Sequence, residues 1–322
     1  MKKYLLTSIF VCISLVIEAQ NYYGKRIGIE SGLSQVSVTC VQYDNYGSVW
    51  IGTRFGLNEY RNNRMRSFMN CTISSLYCDS DDILWVLTEQ GVSRYDKQLD
   101  SFESISTTAA TCIYEKNGII YLGTHEGIAR YDKSNAVFSK GNSSIWTDYC
   151  NIFEYEDKLI FVDKRQGITI LEDGNEKKLS LPFIEGKTIM TSCKMGSTLV
   201  LCILGEGVLI YDLDLFNISQ YYPAGEKGLP RDLILSSAVI DGALWLGTDG
   251  SGIMIMDPRT GITSSLYEGI VMNPGTEVPT SVTCIYKDPL NTIWIGGVYF
   301  GVTALKQAPV VSYLPKDIIN TI

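Results

Sequence analysis

Histidines, cysteines and paired acids are where chemistry usually begins, and this chain has one histidine, His125. A single imidazole leaves no room for both a Ser-His-Asp or Cys-His arrangement and any second histidine task, and it denies zinc its usual nitrogen ligands. His125 also sits inside Gly123-Thr124-His125-Glu126-Gly127, a tight turn that suits a surface loop better than a catalyst. Asp79-Ser80-Asp81-Asp82 resembles a piece of a calcium loop. It lacks the central glycine and closing glutamate of that pattern, so a plain turn is the better reading. No two of the 35 acidic residues stand out as the carboxylate pair of a glycosidase. No glycine-rich loop follows a strand and opens a helix, so no phosphate cradle is expected. The residues therefore imply no catalytic group, no metal and no cofactor.

Binding residues are better represented. Seven dipeptides, each just before a glycine, differ from one another: Arg54-Phe55, Glu89-Gln90, His125-Glu126, Arg165-Gln166, Gly205-Glu206, Gly250-Ser251 and Tyr299-Phe300. Phe55, Tyr299 and Phe300 are unusual on an exposed turn. With Arg54, His125, Arg165 and Asp249 they form a set that could stack on and hydrogen-bond a sugar or a peptide. The plainer alternative is that the aromatic rings fold down and pack over the turns.

What holds these residues is a repeat. The seven glycines are Gly56, Gly91, Gly127, Gly167, Gly207, Gly252 and Gly301, with successive spacings of 35, 36, 40, 40, 45 and 49 residues. Six or seven residues before each stands a bulky apolar residue: Trp50, Trp85, Tyr121, Phe161, Leu201, Trp245 and Trp294. Each copy reads as an alternating apolar run such as Val38-Thr39-Cys40-Val41, a polar turn such as Asp44-Asn45-Tyr46-Gly47, and an aromatic strand such as Val49-Trp50-Ile51-Gly52. The glycine then turns the chain into a third strand, and a looser fourth follows. Four short antiparallel strands per repeat make a propeller blade. The expected fold is all-β, a seven-bladed β-propeller of four-stranded antiparallel blades over residues 20–315; the competing parse is a solenoid of strand-turn units.

A four-stranded sheet cannot cover both its faces alone, so blades must stack. Trp50, Trp85, Tyr121, Phe161, Trp245 and Trp294 are assigned to the seams between them. Cys40, Cys112, Cys150, Cys193 and Cys284 recur at nearly one phase. Equivalent points on adjacent blades lie too far apart for a disulfide, so small buried thiols are expected. Two segments, Tyr22–Ile29 and Val310–Leu314, both read as an outer strand, and a closed ring needs one of them.

Composition agrees with strands and turns: Gly 29, Tyr 20 and a net charge of −8. The acidic balance and the lack of a basic run argue against nucleic acid or an anionic membrane surface as partner. At the N-terminus, Lys2 and Lys3 precede an apolar run from Tyr4 to Ile17 that is short for a membrane span, and Ala19 is small. This reads as a signal peptide over residues 1–19, with a membrane anchor as the alternative, and places the mature chain outside the cytoplasm without direct membrane contact.

Gly32-Leu33-Ser34, Val38, Asp44–Gly47, Val49–Thr53 and Gly56–Tyr60 together resemble the two-component regulator propeller repeat, a likeness that extends over roughly residues 22–315. The resemblance implies the periplasmic input region of a Bacteroides-type hybrid two-component histidine kinase. There, a second propeller and signalling domains follow, the ectodomain senses oligosaccharides, and a homodimer signals. It supplies no binding residue that carries over by position. Lys164, Leu204 and Gly297 depart from the repeat's threonine. The kinase portion has no counterpart here, and residues 316–322 read as the start of a continuation, hence a fragment. The implied role is non-catalytic ligand sensing. The alternatives are an exported polysaccharide lyase or glycosidase, or a protein-interaction scaffold.

Overall fold

In a computed structural model of the chain, which describes residues 21–269 and 271–307, seven antiparallel sheets stand around one axis. The proposed signal peptide, the Val310–Leu314 strand and the 316–322 tail lie outside the described residues. Blade one consists of Val38–Tyr43, Val49–Thr53, Gly56–Arg61 and Arg64–Phe68 in that order from the axis outward. Blades two to six begin with the inner strands Ile73–Cys78, Ala110–Lys116, Tyr149–Tyr155, Ile189–Met195 and Ile234–Ile240, and each adds three strands in sequence order. Each inner strand lies beside the next, and that of blade seven, Val282–Lys287, lies beside that of blade one, so the ring closes. Among the described residues the only α-helix is the four-residue Leu266–Gly269. The seven-bladed propeller expected from the repeat is the fold.

Closure uses the N-terminal of the two candidate outer strands. Asn21–Ile27 pairs antiparallel with Gly301–Gln307, from Tyr22↔Gln307 to Ile27↔Val302, and so completes blade seven with residues from the opposite end of the chain. The short strand Val271–Met272 then pairs in parallel with Asn21 and Tyr22 and covers what would be an open sheet edge.

The repeat's odd phrase has local physical causes. In the second strand, the glycine of Gly-Thr faces the cysteine of the inner strand and the neighbouring blade at once. A Cβ on Gly52 would lie 2.5 Å from Cys40 Sγ and 2.8 Å from Ile73 Cγ2 of blade two. Gly123, Gly247 and Gly296 (the last followed by Gly297 instead of threonine) are likewise crowded, by Cys112, Ser236 and Cys284 of their own inner strands and by Tyr149, Val282 and Val38 of the following blades. The threonine closes the next turn: Thr53 Oγ1 donates to Gly56 O at 2.9 Å and accepts from Phe55 N at 3.1 Å. Thr88, Thr124 and Thr248 repeat this lock.

Every inner strand also carries one extra residue against its partner, at the same place in all seven blades. In three blades that bulged residue is a threonine turned toward the following blade: Thr39 donates to Ile73 O, Thr111 to Tyr149 O and Thr283 to Val38 O. In these three blades the bulge thus supplies a side-chain hydrogen bond across the seam near the axis.

The seam aromatics are fixed by a feature the sequence reading took for a bare turn. Asp44 Oδ1 accepts the backbone N–H groups of Tyr46 and Ser48, while Oδ2 accepts Trp50 Nε1 at 2.9 Å. Asp79 holds Trp85, and Asp288 holds Trp294, with the same geometry. Trp50 is 1% exposed and packs on Ile73, Leu76 and Val86 of blade two, with Tyr95 edge-on at 5.1 Å.

Copies four and five are out of step with the others. Asp163 pairs with Gly167 across a three-residue turn, as Gly297 does with Gly301 in blade seven, whereas Thr53 pairs with Gly56 across two. Phe161, however, stands six places before its glycine, where Trp245 and Trp294 stand seven before theirs. Ile160, not Phe161, therefore corresponds to Trp50, and Ile160 packs in the core shared with blade five. Phe161 faces back to Cys112 and Tyr149, the core shared with blade three. Val200 and Leu201 stand in the same relation in blade five. Tyr121 keeps the common phase but is only half-buried.

The cysteines are free thiols, and none of the eight described is in a disulfide. Burial pushes the Cys40 and Cys284 thiols up to about 12, so they serve as small core residues without nucleophilic character.

Candidate functional site

The turns between second and third strands share one face of the disc with the connections from blade to blade, here called the upper face. In four blades the turn is tied to the connection that leads into its own blade. Arg54 N donates to Ser37 O, Lys164 N to Asp148 O, Leu204 N to Thr188 O and Asp249 N to Leu233 O. The variable dipeptides are thereby held on rigid backbone, as a recognition surface requires.

Four of the seven sequence candidates come together. Ser37 O receives Arg54 N at 3.0 Å, and Ser37 Oγ receives Tyr299 N at 3.3 Å. Phe300 N donates to the adjacent Val36 O at 3.1 Å. The turns of blades seven and one are thus pinned to the same dipeptide, and Arg54, Phe55, Tyr299 and Phe300 line one arc. Phe55 is 56% and Tyr299 77% exposed. Tyr299 also holds φ at +54°, a left-handed conformation uncommon for a side chain of its size, and such residues gather at functional sites. Phe300 is half-buried: the Arg26 guanidinium lies 4.8 Å from its ring, and Arg26 Nε donates to its carbonyl at 3.1 Å. For Phe300 the packing alternative describes the geometry. For Phe55 and Tyr299 it does not.

His125 belongs to a second platform. Its ring stacks on Trp146 at 4.0 Å between centroids and 14° between planes. Its Nδ1 lies 2.8 Å from Thr147 O, which can only accept, so Nδ1 carries a hydrogen there. Trp146 is 68% exposed. It lies outside the repeat phase, in the connection between blades three and four, which is why the repeat did not single it out. The signal that could have found it is an out-of-phase tryptophan in a polar linker, Asn142-Ser143-Ser144-Ile145-Trp146. Arg165 and Asp249 stand apart on blades four and six. Arg165 is exposed, with its backbone N–H donated to Asp163 Oδ1, and Asp249 Oδ1 accepts Ser281 Oγ at 2.6 Å.

On the opposite, lower face, the acidic turn Asp79–Asp82 meets a cation from the protein itself. Lys133 Nζ, from blade three, lies 3.1 Å from Asp79 Oδ2 and 2.8 Å from Glu115 Oε1, and also contacts Asp81. Burial works against the Lys133 charge, but hydrogen bonds to these carboxylates outweigh it and raise its pKa above the ordinary lysine value. Lys133 thus occupies the place where a calcium loop would hold its ion. Among the described residues no group of three or more His, Cys, Asp or Glu is arranged to hold a metal, and no helix is long and apolar enough to cross a membrane.

Residues 32–55 and 67–90 match the family described as two component regulator propeller, each span running from a blade's entry to its second turn. These stretches are regulator-propeller repeats, as the sequence resemblance implied. Histidine kinase P4 of Formosa agariphila is 36% identical over 61 residues, covering 19% of this chain and 4% of that protein. Among solved structures, the extracellular domain of the hybrid two component system BT3049 of B. thetaiotaomicron superposes with a TM-score of 0.72 at 21% identity, over 89% of this chain and 42% of that one. That of BT4673 from the same organism does so with 0.72 at 16%, over 91% and 44%. The chain spans less than half of those ectodomains, and the likeness to them is one of fold.

Proposed function

We propose that this chain is an exported, non-catalytic input module of a two-component signalling protein, and that its upper face recognises an oligosaccharide. The observation that carries this reading is the arc of Arg54, Phe55 and Tyr299, with Phe300 packed beside them. Exposed rings and a guanidinium are fixed at pattern-free positions of an otherwise uniform scaffold. Sugars present axial C–H groups to aromatic faces and hydroxyls to charged groups; the arc offers both, and the His125–Trp146 stack is a second aromatic platform on the same face. The regulator-propeller repeats and the fold shared with extracellular domains of hybrid two component systems support the signalling role. A ligand on this face would act by binding one arrangement of a larger receptor more tightly than another. The second propeller, signalling domains and a homodimeric partner are the assembly this role calls for.

The test is calorimetric titration of the chain against a panel of plant and host glycan fragments, with the recovered sugars analysed for cleavage. Saturable binding of an intact fragment, weakened about tenfold or more by Trp146→Ala or Phe55→Ala, is expected. Turnover of any fragment would favour the lyase or glycosidase reading, and silence across the panel would favour a protein-interaction scaffold.

A further inference from the structure

The seam between blades seven and one opens on the lower face into a cleft of about 410 Å³, which the upper-face reading does not use. Its origin lies in a departure from the repeat. Three residues past the anchor glycine, the other six copies carry Glu59, Arg94, Arg130, Ile170, Ile210 and Ile255; blade seven carries Ala304. In blades one and two this position joins a cross-strand ion pair. Glu59 is registered with Arg66 and Arg94 with Glu103, and both pairs are in contact. In blade seven the registered partner of Ala304 is Lys25. The cation is kept and the acid is missing.

The space left by the shortened side chain is floored by Trp294 and Tyr60, whose rings meet edge-on at 6.3 Å, and is flanked by Tyr23 and Lys306, themselves registered partners. Neither Lys25 nor Lys306 makes an ion pair among the described residues; Lys25 Nζ donates to Tyr60 Oη at 3.2 Å and also contacts Asn63 Oδ1. Asp288 borders the cleft too, but its oxygens already accept Leu290 N, Thr292 N and Trp294 Nε1. Two lysines that lack carboxylates, set beside aromatic rings in a ring-sized cleft, have the complementarity of a carboxylated sugar. We propose that this cleft binds an acidic pyranose. Its carboxylate takes the place of the absent acid opposite Lys25, with Lys306 as the second donor, and its ring lies on Tyr60 and Trp294.

D-glucuronate, with D-glucose as the neutral control, is the probe for calorimetric titration of the full chain. Saturable binding of glucuronate and at least about tenfold weaker binding of glucose are expected, the ratio that one charge-assisted contact supplies. Ala304→Glu writes the blade-one residue into blade seven. It is expected to abolish glucuronate binding while leaving the melting temperature equal or higher, and Lys25→Met combined with Lys306→Met is expected to abolish it without refilling the cleft. Tyr299→Ala, on the upper face, is expected to leave it unchanged, which separates this site from the one proposed above. The proposal is overturned if the parent chain does not bind glucuronate, if glucose binds equally well, or if both cleft variants bind as the parent does.

Discussion

Asp44 shows how much one side chain can organise. Its two oxygens accept two turn amides and the indole of Trp50, so that the hairpin and the seam are set by one carboxylate. Asp44→Ala would leave a fully buried indole N–H and two turn amides without their acceptor, and a loss of about 2–4 kcal/mol in denaturant unfolding is expected. Asn45→Ala, one position along the same turn, removes an exposed side chain and should change stability by no more than about 0.5 kcal/mol. Equal losses for the two variants would mean that the aspartate is only a turn former. The sequence reading identified Asp44 and Asp79 as turn residues but not as acceptors for the tryptophans. Turn propensity is a local property, whereas the bond to an indole six residues away exists only once the hairpin has brought the two together. The lysine that neutralises Asp79 was hidden for a similar reason: Lys133 belongs to another blade, and nothing in the spacing connects them.

At the scale of the element, the glycine of the second strand decides how closely blades approach. Gly52 has an extended backbone that any residue can adopt, so the effect of a side chain there is one of contact alone. Gly52→Ala is expected to cost about 1–3 kcal/mol, because its methyl group would press on Cys40 and on Ile73 across the seam. Combining it with Ile73→Ala should lose less than the sum of the single changes, since the clash and its partner are shared. Full additivity in a chemical-denaturation cycle would show that the two do not meet. Most of this was legible: strand order, blade count and turn glycines follow from a repeat written seven times. What was not legible is the step between copies. In blades four to seven the turn is one residue longer. Trp245 and Trp294 stand seven residues before their glycines and reveal the step, but in blades four and five a count of six shifts Phe161 and Leu201 by one place. A shift of one residue in a strand moves a side chain to the other face, and so Phe161 fills the seam opposite to the one expected.

The whole molecule is a ring closed by its two ends, with Asn21–Ile27 laid against Gly301–Gln307. That closure places Tyr299, the most exposed aromatic among the described residues, and the first connection of the chain on the same arc, and it sets Lys25 opposite Ala304 and Tyr23 opposite Lys306 at the lower cleft. The candidate arc was partly legible, since pattern-free residues on a rigid repeat mark a surface available for recognition. Trp146 was missed because it lies in a connection whose length and path the repeat does not govern. Tyr299 gives the most direct test of the claim that this wheel recognises a sugar and leaves it intact. Its backbone at φ +54° suits glycine better than tyrosine, so Tyr299→Gly relieves strain while removing the ring. With the fragment that binds the parent chain, paired calorimetry and thermal melts of Tyr299→Gly should give an unchanged or higher melting temperature together with affinity lower by about tenfold or more. An unchanged affinity in a well-folded Tyr299→Gly chain would contradict the account.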